Sequence, residues 1–110
     1  MNPYALLAAA IASELVATVS LKLSEGFSNP LPSVGVVVGY GAAFVLLSLV
    51  LEELPVGLVY ATWAALGIVG IAAVGVVAFG EQVDLAGLAG IACIILGVVL
   101  LHVVSGMSAH

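Results

Sequence analysis

At 110 residues the chain is long enough for one domain, yet 65% of it is apolar and only seven side chains are Asp, Glu, Lys or Arg, too few to cover a water-facing surface. With a mean hydropathy of +1.42, lipid must be the outer solvent, which excludes a soluble enzyme. A formal charge of −5 with Lys22 as the sole Lys or Arg excludes nucleic-acid binding, and Cys93, standing alone, excludes an intrachain disulfide or a thiol metal cluster.

Crossing a hydrocarbon core of about 30 Å takes roughly 20 helical residues. Four apolar stretches meet that length, about 4–21, 34–51, 58–79 and 85–104. They predict an all-α membrane protein: a single four-helix transmembrane domain over residues 1–110 with short loops. The first stretch is a span and not a signal peptide, because no basic residue precedes it and Glu14 interrupts it. Lys22 and Glu25 fall in the first connection, and Pro30 and Pro32 precede the second span. Glu52 and Glu53 fall in the second connection, with Pro55 ahead of the third span. The short connection Gly80 to Asp84 forces antiparallel neighbours, and Asp84 can cap the fourth helix. An even number of spans puts both termini on one side. Lys22 alone biases orientation only weakly, so insertion in both directions is open. The acid excess in the loops fits a salt-adapted source as well as an ordinary polar loop.

One charge is out of register with this pattern. Glu14 lies ten residues past Tyr4, about 15 Å along a helix and so near the bilayer midplane. An ionised carboxylate there costs about 2.5 kcal/mol or more. No Lys, Arg or His of this chain sits at a matching depth, which marks Glu14 as a proton or cation site; the plainer reading is a protonated carboxyl bonded across helices. Its helical face carries Leu7, Ala10, Ile11, Ala17, Thr18 and Leu21. Thr18 adds a hydroxyl, and Ala10 and Ala17 serve equally as room for a ligand or as tight packing.

The aromatic residues are few. Tyr4 suits the membrane interface, while Phe44 and Phe79 call for no special role. Tyr40 lies inside the second span. Tyr60 and Trp63 share a face of the third helix that continues to Gly67. A carboxylate with Tyr and Trp rings suits a desolvated organic cation, through charge pairing and cation–π attraction. No glycine falls in the first span. Gly35 and Gly39 form a small-xxx-small pair in the second, and Gly67, Gly70 and Gly75 soften the third, with Gly67 as candidate hinge. Gly90, Cys93 and Gly97 form a smooth stripe on the fourth helix, suited to dimerisation. Four short helices cannot line a drug-sized passage and also pack together, so a homo-oligomer is expected, its Glu14 carboxylates titrating as a coupled pair. His102 and His110 read as interfacial or tail residues. No metal and no cofactor is implied.

The same residues carry a family resemblance. Glu14, Thr18, Lys22, Ser24, Gly26, Phe27, Pro32, Ser33 and Gly35, then Leu54 to Trp63, then Gly67, Val69, Gly80, Asp84, Gly90 and Gly97, follow in order and spacing the pattern of the small multidrug resistance family. Over essentially its whole length the chain resembles the EmrE-like, proton-coupled multidrug antiporters of that family. The resemblance implies a multi-pass protein of a prokaryotic cell membrane, working as an antiparallel homodimer of dual topology. Lipophilic cations such as quaternary ammonium compounds and protons would compete for Glu14. Ala10, Thr18, Tyr40, Tyr60 and Trp63 would contact the cation, Gly90, Cys93 and Gly97 would join the subunits, and a proton gradient would take the place of any cofactor. Ala43, Ala64 and Ala65 depart from the family's usual Ser, Ser and Gly, and its loop arginines are absent. The alternatives are a guanidinium or polyamine exporter of the same family and, from other classes, a proton-conducting proteolipid subunit or a non-transporting membrane subunit.

Overall fold

The computed structural model describes residues 2–105. These form α1 (Pro3–Leu23), α2 (Pro30–Val50), α3 (Val56–Phe79) and α4 (Leu85–Val99), the last widening into a π-turn over Leu100–Val104. No strand occurs among the described residues. All four helices, counting α4 through its π-turn, are long and apolar enough to cross a membrane. Their outer surfaces agree with that: Leu31, Val77 and Leu85 stand almost wholly exposed on them, where lipid can cover them.

Local chemistry sets the ends. Pro3, which has no N–H to leave unsatisfied, opens α1, and the Tyr4 N–H donates to Asn2 Oδ1 at 2.8 Å. The second helix starts at Pro30 instead of Val34, because Pro30 and Pro32 both fit a first turn whose N–H groups have no helical partner. The third ends at Gly80, whose φ of 67° is left-handed, and the Glu81 N–H closes back onto the Gly75 carbonyl at 3.0 Å. Asp84 caps α4, accepting from the Gly87 N–H at 2.8 Å.

Between Glu52 and Glu53 the described chain divides into two compact units. The first is an antiparallel hairpin in which α1 and α2 pack along their length. Its turn runs through Glu25, Gly26 and Phe27 with φ of 48°, 72° and 67°. Only glycine adopts such angles freely; each of the other two costs about 1–3 kcal/mol. Fully buried Ser24 offsets the strain. Its hydroxyl donates to the Leu21 carbonyl at 2.7 Å and accepts from the Phe27 N–H at 3.2 Å. Its carbonyl accepts from the Ser28 and Asn29 N–H groups at 2.9 and 3.0 Å. The turn thereby sets the register that pairs the middle of α1 with the middle of α2.

The second unit is built on α3 and α4, which touch over much less of their length. Leu58, Val59, Thr62 and Ala65 are buried on α3, whereas α4 buries no residue. An apolar groove of about 380 Å³, lined by Ala72, Val76, Leu88 and Ile91 among others, runs between them.

Candidate functional site

Glu14 follows Ser13, the central residue of α1, and its side chain is half-buried. One turn on, Thr18 falls on the same face because residues four apart in a helix are neighbours. Its hydroxyl donates to Glu14 Oε1 at 2.8 Å. The Tyr40 hydroxyl of α2 lies 2.8 Å from the same Thr18 oxygen. A threonine hydroxyl has one hydrogen, already donated to the carboxylate, so Tyr40 must donate to Thr18. A directed chain of hydrogen bonds therefore runs from Tyr40 through Thr18 to Glu14. The Tyr40 ring is held by stacking on Phe44, with centroids 6.3 Å apart and planes at 21°. Among the described residues Glu14 Oε2 makes no hydrogen bond. One edge of the carboxyl is thus tethered by Thr18.

The remaining residues read from sequence divide between the units. Ala10 lies one turn before Glu14 and is fully buried. Tyr60 and Trp63 sit on α3 in the second unit, Tyr60 74% exposed and Trp63 half-buried. Gly67 follows one turn after Trp63 within the unbroken helix. Gly90, Cys93 and Gly97 are all exposed on α4, and a Cβ added at either glycine would meet nothing within 4 Å. His110 lies outside the described residues.

The structure thus brings Glu14, Thr18 and Tyr40 into one cluster, and keeps Tyr60, Trp63 and Gly67 together on one helix. Three relationships go beyond the sequence reading. Phe44, given no role from sequence, stacks on Tyr40; the spacing of four residues was the signal. His102, read as interfacial, places its Nε2 2.7 Å from Thr62 Oγ1. Gly39 lies against Ala17; both were read as small packing residues, but which meets which is set between the helices.

A family model described as Small Multidrug Resistance protein matches residues 2–94. The chain is 50% identical over 110 residues to the multidrug transporter PA4990 of Pseudomonas aeruginosa, with 100% of both chains covered. It is 46% identical over 110 residues to the quaternary ammonium compound-resistance protein QacE of Escherichia coli, again with 100% of both covered. Identity to the multidrug transporter EmrE of Escherichia coli strain K12 is 39% over 110 residues, at the same full coverage. A salt-adapted source finds no support among these relatives.

Proposed function

The chain belongs to the small multidrug resistance family, and from that premise we propose that it is a proton-coupled antiporter exporting lipophilic organic cations, with protons and substrate competing for Glu14. The observation that carries this reading is the mid-span carboxyl with one oxygen tethered through Thr18 to Tyr40 and the other unbonded. An intramembrane acid is expensive, and a hydroxyl bonded to it and itself supported by a second argues for a working anion. The names of the relatives, with multidrug transport in two and quaternary ammonium resistance in the third, supply the substrate class.

In the ionised state Glu14 pairs with the cation through Oε2 while Thr18 holds Oε1. The Tyr60 and Trp63 rings offer cation–π faces to the aromatic or quaternary groups of the same substrate. A proton on Glu14 removes the charge pair and releases the cation. Because both ligands need one carboxylate, binding of either opposes the other without any long-range network. With acid outside, protons load there and cations load inside. The cost of carrying a bare carboxylate through hydrocarbon discourages switching of the empty site.

Two copies complete the transporter in this reading. The α4 surface bearing Gly90, Cys93 and Gly97 is exposed in the single chain, and its open glycines let a second helix approach closely. Joined there in antiparallel fashion, two copies would place both Glu14 carboxyls at midplane depth in the membrane of a prokaryotic cell.

Adding tetraphenylphosphonium to the purified protein in weak buffer tests the proposal. Protons should be released on binding, and Glu14→Gln should abolish both binding and release. PH-dependent binding retained in Glu14→Gln would remove Glu14 from the mechanism. Proton release by guanidinium but not by tetraphenylphosphonium would assign the guanidinium alternative, and release by neither would favour the proteolipid class.

A further inference from the structure

We propose that Gly39 is a positioning residue for Glu14: its contact with Ala17 sets the α1–α2 spacing that lets the Tyr40 hydroxyl reach Thr18. The inference rests on the role proposed above for Glu14. Ala17 and Gly39 immediately precede Thr18 and Tyr40, so the helix contact and the hydrogen bond are neighbours on both elements. A Cβ built on Gly39 would lie 2.8 Å from Ala17 Cβ and 3.1 Å from both its Cα and its backbone N. Carbon atoms in contact prefer about 3.5–4.0 Å, so a methyl here would push the helices apart by about 1 Å. The Tyr40–Thr18 bond, now 2.8 Å, would then exceed the O–H···O range that ends at about 3.0 Å.

The other glycines of α2 do not share this constraint. Gly35 faces Ser20, whose Oγ at 2.8 Å can rotate away and whose Cβ stands at 3.2 Å, and Gly41 meets nothing within 4 Å. Gly39 alone of the three opposes backbone atoms that cannot turn away. Without the Tyr40 donor, Thr18 is a poorer donor to the carboxylate, the ionised form of Glu14 loses support, and protons displace the cation at higher pH.

The test is tetraphenylphosphonium binding by the purified full-length protein, titrated against pH. Gly39→Ala should move the midpoint of binding to higher pH by about half to one unit, the scale of one hydrogen bond between neutral groups. Gly41→Ala, which changes helix propensity equally without the contact, should leave the midpoint in place. Combining Ala17→Gly with Gly39→Ala removes the 2.8 Å methyl contact and leaves the 3.1 Å contacts to the Cα and N of residue 17, so it should reverse part of the shift. A purely structural role for Gly39 would lower the amount of folded protein without moving the midpoint.

An unmoved midpoint in folded Gly39→Ala, an equal shift in Gly41→Ala, or no reversal in the double variant would each overturn the proposal. Should Gly39→Ala not fold, the double variant decides alone. A midpoint between the parental one and that of Tyr40→Phe then supports the spacing role, and one beyond that of Tyr40→Phe or renewed misfolding overturns it. Failure of the underlying site reading would show differently, as pH-dependent binding that survives Glu14→Gln.

Discussion

Thr62 Oγ1 and His102 Nε2 lie 2.7 Å apart, so a buried hydroxyl in the second turn of α3 is tied to the π-turn that closes α4. The Thr62 hydroxyl donates its hydrogen to the Leu58 carbonyl at 2.8 Å, which makes His102 Nε2 the donor to Thr62. The bond joins two helices that otherwise pack over little of their length.

Removing either partner should therefore loosen the second unit. Thr62→Val keeps the side-chain shape and should lower unfolding free energy by about 1–2 kcal/mol, as should His102→Ala. A double-mutant cycle, read by denaturant unfolding in detergent micelles, should give a coupling of about 0.5–1.5 kcal/mol. Strict additivity of the two losses would mean that the bond contributes nothing.

The Tyr40–Thr18–Glu14 chain makes a different prediction, one of pH and not of stability. Tyr40→Phe removes the terminal donor and keeps the ring that stacks on Phe44. Less support for the carboxylate favours its protonated form, so cation binding should begin at higher pH, by about half to one unit, with affinity at alkaline pH little changed. Thr18→Val, which removes the direct donor to Glu14 Oε1, should move the onset further in the same direction. Binding curves for tetraphenylphosphonium across pH check both; an unmoved onset in Thr18→Val would remove the chain from the proton competition.

The fold was legible because its signals are local. Apolar runs of membrane length, prolines at first turns and charges between the runs are read within one helix at a time. Glu14 and Thr18 were legible together for the same reason, being one turn apart. Tyr40 could be placed only at membrane depth, since its meeting with Thr18 depends on the register set by the strained Glu25–Phe27 turn. The Gly39–Ala17 and Thr62–His102 contacts were hidden because each joins two helices. Sequence does hint at the second: Thr62 lies near the start of α3 and His102 near the end of α4, one end of an antiparallel pair.

The aromatic residues of α3 should act on affinity alone. Trp63→Ala removes a ring face worth about 0.5–2 kcal/mol to a cation, or about 2- to 30-fold in affinity. Since Trp63 has no place in the Tyr40–Thr18–Glu14 hydrogen-bond chain, the ratio of the affinities at two pH values should stay as in the parent. Isothermal titration with tetraphenylphosphonium at those two pH values separates the effects. Unchanged affinity would take Trp63 out of the site, and a changed ratio would tie it to the carboxyl instead.

The α4 stripe predicts a cross-link pattern that also reports orientation. Cys93 is free and exposed, and it lies close to midway between Gly90 and Gly97. Two helices crossing at this stripe, parallel or antiparallel, bring both Cys93 residues near the crossing point. Mild oxidation in membranes should therefore yield a disulfide-linked dimer, which requires Cα atoms within about 7 Å. Gly97→Leu should suppress the product by filling the space a second helix needs. Orientation follows from positions far from the crossing. With Cys93→Ser as background, Leu101→Cys would link to itself in a parallel pair. In an antiparallel pair its two copies stand about 20 Å apart along the axis at 1.5 Å per residue, and each faces Ala86 of the other chain. Mixing Leu101→Cys with Ala86→Cys should then give the heterodimer band while Leu101→Cys alone gives none. Self-linking of Leu101→Cys would show a parallel pair and remove the dual-topology part of the proposed mechanism.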